Sequence, residues 1–407
     1  MGWRAWTAVA AAAAVTATAI GAGLYFRPDR AIRVATGLVA HNVCSKVLVS
    51  GLDPETVFAE TTERADIRRL RPLLKFHFDR GAKFIDVSLA GGFSSRAVYR
   101  DGLGCVLLHD AKEPYLLKSD IDALKAPKAP PLLPEIAGAD LVEPSDPALK
   151  AALDHSFEEP DEPPFRRTKA VVVVHDGKVI AERYAKGVGI DTSLLGFSMT
   201  KSVINALIGI LTQQGLVTPS MPAPIPEWRG AKDPRREIEV EHLMRMTTGL
   251  ALDETNSGFD STSRMLYLHD DMAGFAVKAP MIAAPGTRWH YSSPTTQLLA
   301  RIIRDAVGGP EQTLAFAWRE LFNPLGMRNV TLEFDGVGTL QGTAYMLGAC
   351  LSSDWSRGCE SDSLRNHEQG ISPLEDRRGP ASATERAGLC AAGPRFAVDR
   401  VAGQGKP

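Results

Sequence analysis

Gly196-Phe197-Ser198-Met199-Thr200-Lys201-Ser202-Val203-Ile204-Asn205-Ala206-Leu207-Ile208-Gly209-Ile210-Leu211 is the stretch on which the reading of this chain turns. Val203, Ile204, Leu207, Ile208, Ile210 and Leu211 recur at helical spacing and Gly215 ends the pattern, which predicts a helix from Ser198 to Gly215. So apolar a helix belongs in an interior, and Ser198 and Lys201 open it. Residues three apart share a helix face. A serine hydroxyl is a weak nucleophile until a base takes its proton, and a lysine kept neutral by burial can be that base. The free backbone N–H groups of the helix start favour negative charge on the serine oxygen and weaken the lysine's hold on its proton. The bland reading of an isolated Ser-x-x-Lys is a capping serine with an exposed lysine; the apolar helix behind it argues otherwise, because a buried lysine needs a partner or a function.

On the N-terminal side, Ala170 to Val174 is a β-branched run, Asp176-Gly177 supplies a turn and Val179 to Tyr184 alternates, so a hairpin is expected over Ala170 to Tyr184. On the C-terminal side, helices are expected over Val240 to Met246 and Gln297 to Val307. Between them lies Ala284-Pro285-Gly286-Thr287-Arg288-Trp289-His290-Tyr291-Ser292-Ser293, a turn leading into an aromatic and polar cluster 93 residues beyond Ser198. A tyrosine brought beside the lysine can carry its proton to a leaving group and exchange hydrogen bonds with Ser293. His290 invites a Ser-His-Asp reading, yet no Gly-x-Ser-x-Gly surrounds Ser198. His175 and His242 read as structural, and Glu182 and Arg183 as partners of each other or of their neighbours.

These segments, with Leu243-Met244-Arg245-Met246-Thr247-Thr248-Gly249-Leu250 between them, stand in the order and spacing of a known family. Residues 165 to 346 resemble the β-lactamase and penicillin-binding-protein superfamily, in the branch of class C β-lactamases, family VIII esterases, D-alanyl-D-alanine peptidases and 6-aminohexanoate-dimer hydrolases. The resemblance implies an α/β (α+β) fold of the β-lactamase/transpeptidase type: an antiparallel sheet with helices plus an all-α subdomain, with the nucleophile helix at their junction. It implies acylation of Ser198, Lys201 as base, Tyr291 assisting proton transfer in both half-reactions, and Ser293 supporting the substrate. Ser293 departs from the family pattern, where asparagine is commonest in class C β-lactamases. One hydroxyl donor reaches less far than an amide, which favours a linear amide or ester over a β-lactam. The family's third element, Lys-Thr-Gly, Lys-Ser-Gly or His-x-Gly, is missing between Tyr291 and Pro407. Its strand lends one oxyanion donor, and losing such a donor costs a factor on the order of 100 to 1000 in rate. The function expected is therefore a serine hydrolase of small amides or esters; an exported, inactive binder of cell-wall peptide is the alternative.

The rest of the chain organises around this domain. Residues 1–30 hold Ala5 to Phe26, 22 residues without a charge between Arg4 and Arg27, long enough for a membrane anchor or, being Ala-rich, a cleaved signal. Either one exports the chain to a periplasmic or other extracytoplasmic place, with membrane anchoring through 5–26 in the anchor case. Residues 31–125 read as a small N-terminal module with strands such as Lys46 to Gly51 and Gly104 to Leu108. Residues 126–165 read as a linker, with nine prolines between Ala126 and Pro164. Residues 166–346 are the catalytic domain. From 347 to 407 the apolar periodicity is lost amid Ser, Arg, Gly and three cysteines, so the fold is expected to be incomplete at its C-terminus; a shifted reading frame and a divergent disordered tail both account for that. Cys44 and Cys105 form a disulfide or remain two buried thiols. No metal-ligand spacing is present and no cofactor is called for. With 46 basic against 48 acidic side chains, a net charge of -2 gives no reason to expect nucleic acid as a partner; a small-molecule amide or ester is the expected one.

Overall fold

The computed structural model describes residues 28–109, 113–116, 141–176, 178–255, 257–327, 329–348 and 388–389. The segment 5–26, expected to be a signal or an anchor, lies outside them, as does the tail from 349 apart from 388–389. Helix α1 (Pro28–Cys44) continues through a π-helical turn, Ser45–Val49, and is followed by α2 (Pro54–Thr62), capped by Asp53 accepting from the Thr56 N–H. Asp29–Val49 is apolar and long enough to cross a membrane by length and composition, yet 72% of its apolar window is buried inside the fold. That helix is a core element: Val34, Leu38, Val39 and Val43 pack on the sheet β1 (Leu74–Asp79), β2 (Phe84–Leu89), β3 (Gly92–Arg100) and β4 (Gly104–Leu108), antiparallel and in sequential order. Lys46 to Gly51, expected as a strand, is instead this π-helical turn and its exit; Gly104 to Leu108 is the strand expected.

Residues 141–164 are not a structureless linker. Asp146 caps α3 (Pro147–Phe157) with Pro147 in its first turn, and the Val142 N–H donates to buried Glu182. The hairpin forms as read, β5 (Ala170–His175) against β6 (Lys178–Tyr184), with Asp176 left-handed at φ 48° in its turn. The other edge of β5 meets only β10 (Gly388–Leu389) among the described residues. A third sheet joins β7 (Leu194–Leu195), β9 (Met346–Gly348) and β8 (Val330–Leu332) in that order.

Helix α4 (Thr200–Gln213) buries Val203, Ile204, Leu207, Ile208 and Leu211, each burial worth about 1.5–3 kcal/mol. Around it lie α5 (Val240–Met244), α6 (Ser261–Leu268), α7 (Met272–Val277), α8 (Ser293–Val307) and α9 (Pro310–Ala317), the helical part expected; α8 runs through its middle and touches α4, α5, α6, α7 and α9. This is the β-lactamase/transpeptidase-like mixture of helices and antiparallel sheets.

The N-terminal segment, expected as a module of its own, shares one continuous hydrophobic core with residues 195–347. Polar chemistry fastens the two together. Glu333, fully buried, accepts from Ser45 Oγ at 2.8 Å and from the Cys105 N–H at 2.8 Å, and lies 2.8 Å from His41 Nε2. The His41 ring stacks on Tyr345, whose hydroxyl meets that of Tyr267 at 3.0 Å. Gly104 passes so close to Glu333 that an added Cβ would lie 2.6 Å from its side chain. Cys44 and Cys105 form a disulfide linking the end of α1 to β4.

Candidate active site

The position of Ser198 is set from the sheet side. Leu194 and Leu195 pair with Gly348 and Leu347, and the Gly196 N–H donates to Met346 O at 2.8 Å. Phe197 then sits at φ 45°, a left-handed conformation that costs a bulky residue on the order of 1–3 kcal/mol and persists only where its surroundings enforce it. A single 3-10 turn, Phe197–Met199, carries Ser198 and runs into α4. Ser198 is therefore just ahead of the regular helix and not in its first turn, and the tighter turn places residues i and i+3 over one another. The turn's first hydrogen bonds come from Met199, to Gly196 O, and from Thr200, to Phe197 O and Ser198 O. The Ser198 N–H is not committed to them and heads the turn as an oxyanion donor would.

Lys201 Nζ lies 3.1 Å from Ser198 Oγ and donates to Thr343 O at 2.9 Å; the Tyr291 hydroxyl donates to Ser198 Oγ at 2.7 Å. The lysine ammonium stands 5.1 Å from the centre of the tyrosine ring. Burial lowers the Lys201 pKa to about 8, with the Glu254 carboxylate opposing the shift. Burial raises the Tyr291 pKa, the hydrogen bond to Ser198 opposes, and Glu254 adds to the rise. Two groups able to trade a proton thus converge on the Ser198 hydroxyl.

Ser293 is placed differently from its expected role. It is buried at the first position of α8, and its backbone N–H donates to Glu254 Oε2 at 2.6 Å; Tyr291 bonds Ser198 and not Ser293. His290 pairs through Nδ1 with Tyr291 O at 2.8 Å and makes no bond to Ser198, so no Ser-His-Asp arrangement forms. His242 accepts the Glu239 N–H in the cap of α5, and His175 lies exposed beside Asp176 at the hairpin end. Glu182 holds Val142 and Tyr184, and Arg183 pairs with Asp154. Among the described residues no cluster of three or more His, Cys, Asp or Glu could hold a metal ion.

The stretch Leu243 to Leu250 works as a scaffold for the tyrosine loop. Met246 O accepts from the His290 N–H, Thr247 O from Gly286 and Gly249 O from Ile282. Gly249, at φ 72°, lies where an added Cβ would fall 2.0 Å from Ala283 O, so only glycine fits. Glu254 escaped the sequence reading: it has no motif around it, and only the fold brings it to Ser293, Lys201 and Tyr291. Glu254→Gln keeps the acceptor oxygen and removes the charge that holds the lysine's proton. The alkaline rise in the rate at which Ser198 reacts with a fluorophosphonate is therefore expected to move to lower pH; a midpoint unmoved or moved upward would remove Glu254 from the site's electrostatics.

Residues 161–356 match the family model described as beta-lactamase. Solved structures similar to the chain include one assigned as a 6-aminohexanoate-dimer hydrolase from Bacillus anthracis, 21% identical with a TM-score of 0.42, over 50% of this chain and 54% of that one. FmtA from Staphylococcus aureus is 15% identical with a TM-score of 0.41, over 58% and 70%. A D-stereospecific amidohydrolase from Streptomyces sp. is 19% identical with a TM-score of 0.38, over 50% and 70%. The first three solved structures matched are spanned over only 54%, 60% and 53% of their own length. No curated protein matches the chain.

Proposed function

We propose, from the premise that residues 161–356 match the beta-lactamase family model, that the chain hydrolyses small amides or esters through an acyl-serine intermediate. One observation carries the reading: Ser198 Oγ is held at 3.1 Å from a lysine whose pKa is lowered to about 8 and at 2.7 Å from a tyrosine hydroxyl. Neutral Lys201 takes the Ser198 proton as Oγ attacks the carbonyl carbon, and the oxyanion gathers at the Ser198 N–H. Tyr291, with the lysine behind it, delivers a proton to the departing amine or alcohol. Water then enters along the same path, gives its proton to the tyrosine and lysine pair, and releases the acid from Ser198. Tyr291 itself and Met199, the neighbour of Ser198 in the chain, are each 36% exposed, which favours a substrate with an apolar portion at the scissile bond.

The disulfide Cys44–Cys105 supports an exported chain, since such bonds persist in oxidising compartments, and it agrees with the apolar leader at 5–26 as signal or anchor. The missing third element supports a second reading, an exported protein that binds cell-wall peptide without turning it over. A fluorophosphonate separates the two. The hydrolase is expected to take up one adduct per chain, on Ser198 by peptide mass mapping, and Ser198→Ala none. Folded protein that stays unlabelled while binding peptide equally well before and after Ser198→Ala would belong to the second reading.

A further inference from the structure

Beside the nucleophile turn lies a cleft of about 720 Å³, counting its open mouth, with Leu194, Leu195 and Phe197 along one wall. None of Ser198, Lys201 and Tyr291 lines it. Its other walls come from the N-terminal segment and from the approach to β5: Asn42 and Lys46 on α1 and its π-helical turn, Thr61 on α2, Arg167 ahead of the hairpin. Four polar atoms of its lining are buried without a hydrogen-bond partner among the described residues: Asn42 Oδ1, Ser50 Oγ, Thr61 Oγ1 and Arg167 Nε. Buried polar atoms are nearly always satisfied, so four orphans around one opening mark a place where something polar belongs.

The charges say what kind of group. Lys169 is paired with Glu60 at 2.6 Å, Arg167 with Glu63 at 2.7 Å and Arg64 with Asp66 at 3.0 Å. Lys46 is the fourth cation and has no ion pair among the described residues; Glu60, already held by Lys169, is the one carboxylate that acts on it. Of the four cations that line the cleft, three are held by carboxylates, with Glu63 shared with Arg71 at 3.5 Å, so the charge left without an ion pair among the described residues is the Lys46 ammonium alone, which favours a monoanion over a dianion. The Asn42 amide nitrogen donates to Leu38 O, which leaves the carbonyl oxygen Oδ1 as the unpartnered end; an oxygen of that kind only accepts, so an occupant that satisfies it carries a donor. Leu52, Leu194, Leu195 and Phe197 give the cleft an apolar side, which suits a hydrocarbon tail.

From this geometry we infer that the cleft is a second binding site, for a monocarboxylate bearing a hydrogen-bond donor and an apolar side chain, such as an N-acylated amino acid. Its carboxylate meets Lys46 and Arg167 Nε, its N–H meets Asn42 Oδ1, and the Ser50 and Thr61 hydroxyls complete the polar shell. Through Phe197 the occupant touches the turn that carries Ser198.

The test is calorimetric titration of the full chain carrying Ser198→Ala, at fixed ionic strength, with N-acetyl-leucine, its neutral amide and inorganic phosphate. Saturable one-to-one binding of N-acetyl-leucine is expected, with the amide and phosphate at least tenfold weaker. Lys46→Met and, separately, Thr61→Val are expected to weaken it at least tenfold and about threefold. Should Lys46→Met fail to fold by circular dichroism, the isosteric Thr61→Val decides alone. No saturable binding to folded protein overturns the inference. So does binding that both variants leave unchanged, which would place the acid elsewhere, the Ser198 site included, and so does phosphate bound as tightly as the carboxylate. None of these readouts depends on turnover, so the cleft and the proposed hydrolysis stand or fall separately.

Discussion

Lys201→Met is expected to slow the reaction of Ser198 with a fluorophosphonate by a factor on the order of 10² to 10⁴, the usual contribution of a positioned general base, while making the folded chain more stable at pH 7. Burial lowers this lysine from the ordinary 10.5 to about 8. Each unit of such a shift corresponds to about 1.4 kcal/mol, so holding the ammonium inside costs up to about 3 kcal/mol. The folded state releases the proton more readily than the unfolded one, so that cost is fully present below pH 8 and fades between pH 8 and 10.5. Methionine removes it but leaves Thr343 O without its donor, a loss of about 1–3 kcal/mol that offsets part of the gain. The net stabilisation should thus be about 1 kcal/mol at pH 7 and turn into a destabilisation of about 1 kcal/mol by pH 10, where the ammonium cost has faded and the lost donor to Thr343 O remains. In the parent the labelling rate should climb about tenfold per pH unit up to about 8 and then level. Urea titrations at pH 7 and pH 10 with labelling kinetics check both halves; a variant that labels at the parental rate removes Lys201 from the base's role.

The second large effect concerns the disulfide. Cys44 and Cys105 close a loop across 61 positions of sequence, and loop-closure entropy alone assigns such a cross-link about 4 kcal/mol. Both residues are fully buried, one at the end of α1 and one in β4, next to the backbone N–H that Glu333 accepts. Replacing both by alanine is expected to lower the unfolding free energy by about 2–4 kcal/mol, as should a reductant in the parent. Denaturation followed through the buried Trp228 and Trp318 would read it. A difference under about 1 kcal/mol would mean that the cross-link adds nothing to the packing around it.

Strong local patterns were legible from the sequence. The hairpin at 170–184 shows in its alternation and turn, and α4 in its period; the serine and lysine follow because three residues of separation fix their approach within one turn. Tyr291 was legible through its company, since a lone tyrosine on a loop carries no signal. Patterns settled elsewhere in space were not. Lys46 to Val49 is a short β-branched run that periodicity cannot assign, and the continuing α1 overrides its strand preference. Asp146-Pro147, a cap followed by a first-turn proline, announces α3, but the proline count around it outweighed that signal. The shared core rests on Glu333, some 230 to 290 residues from its partners, and Glu254 reaches the site only through the fold; neither has a local pattern to read.

The buried Glu333 also bears on where this gene can be cut. A truncation begun at the hairpin, for instance at residue 165 to isolate the family domain, would keep the carboxylate and delete Ser45, His41 and the Cys105 N–H. An unpaired charge stranded in that way costs about 3–5 kcal/mol, as much as a small domain's whole margin. Such a fragment should collect in inclusion bodies, whereas one begun at residue 28 keeps every partner of that carboxylate and should unfold at higher urea.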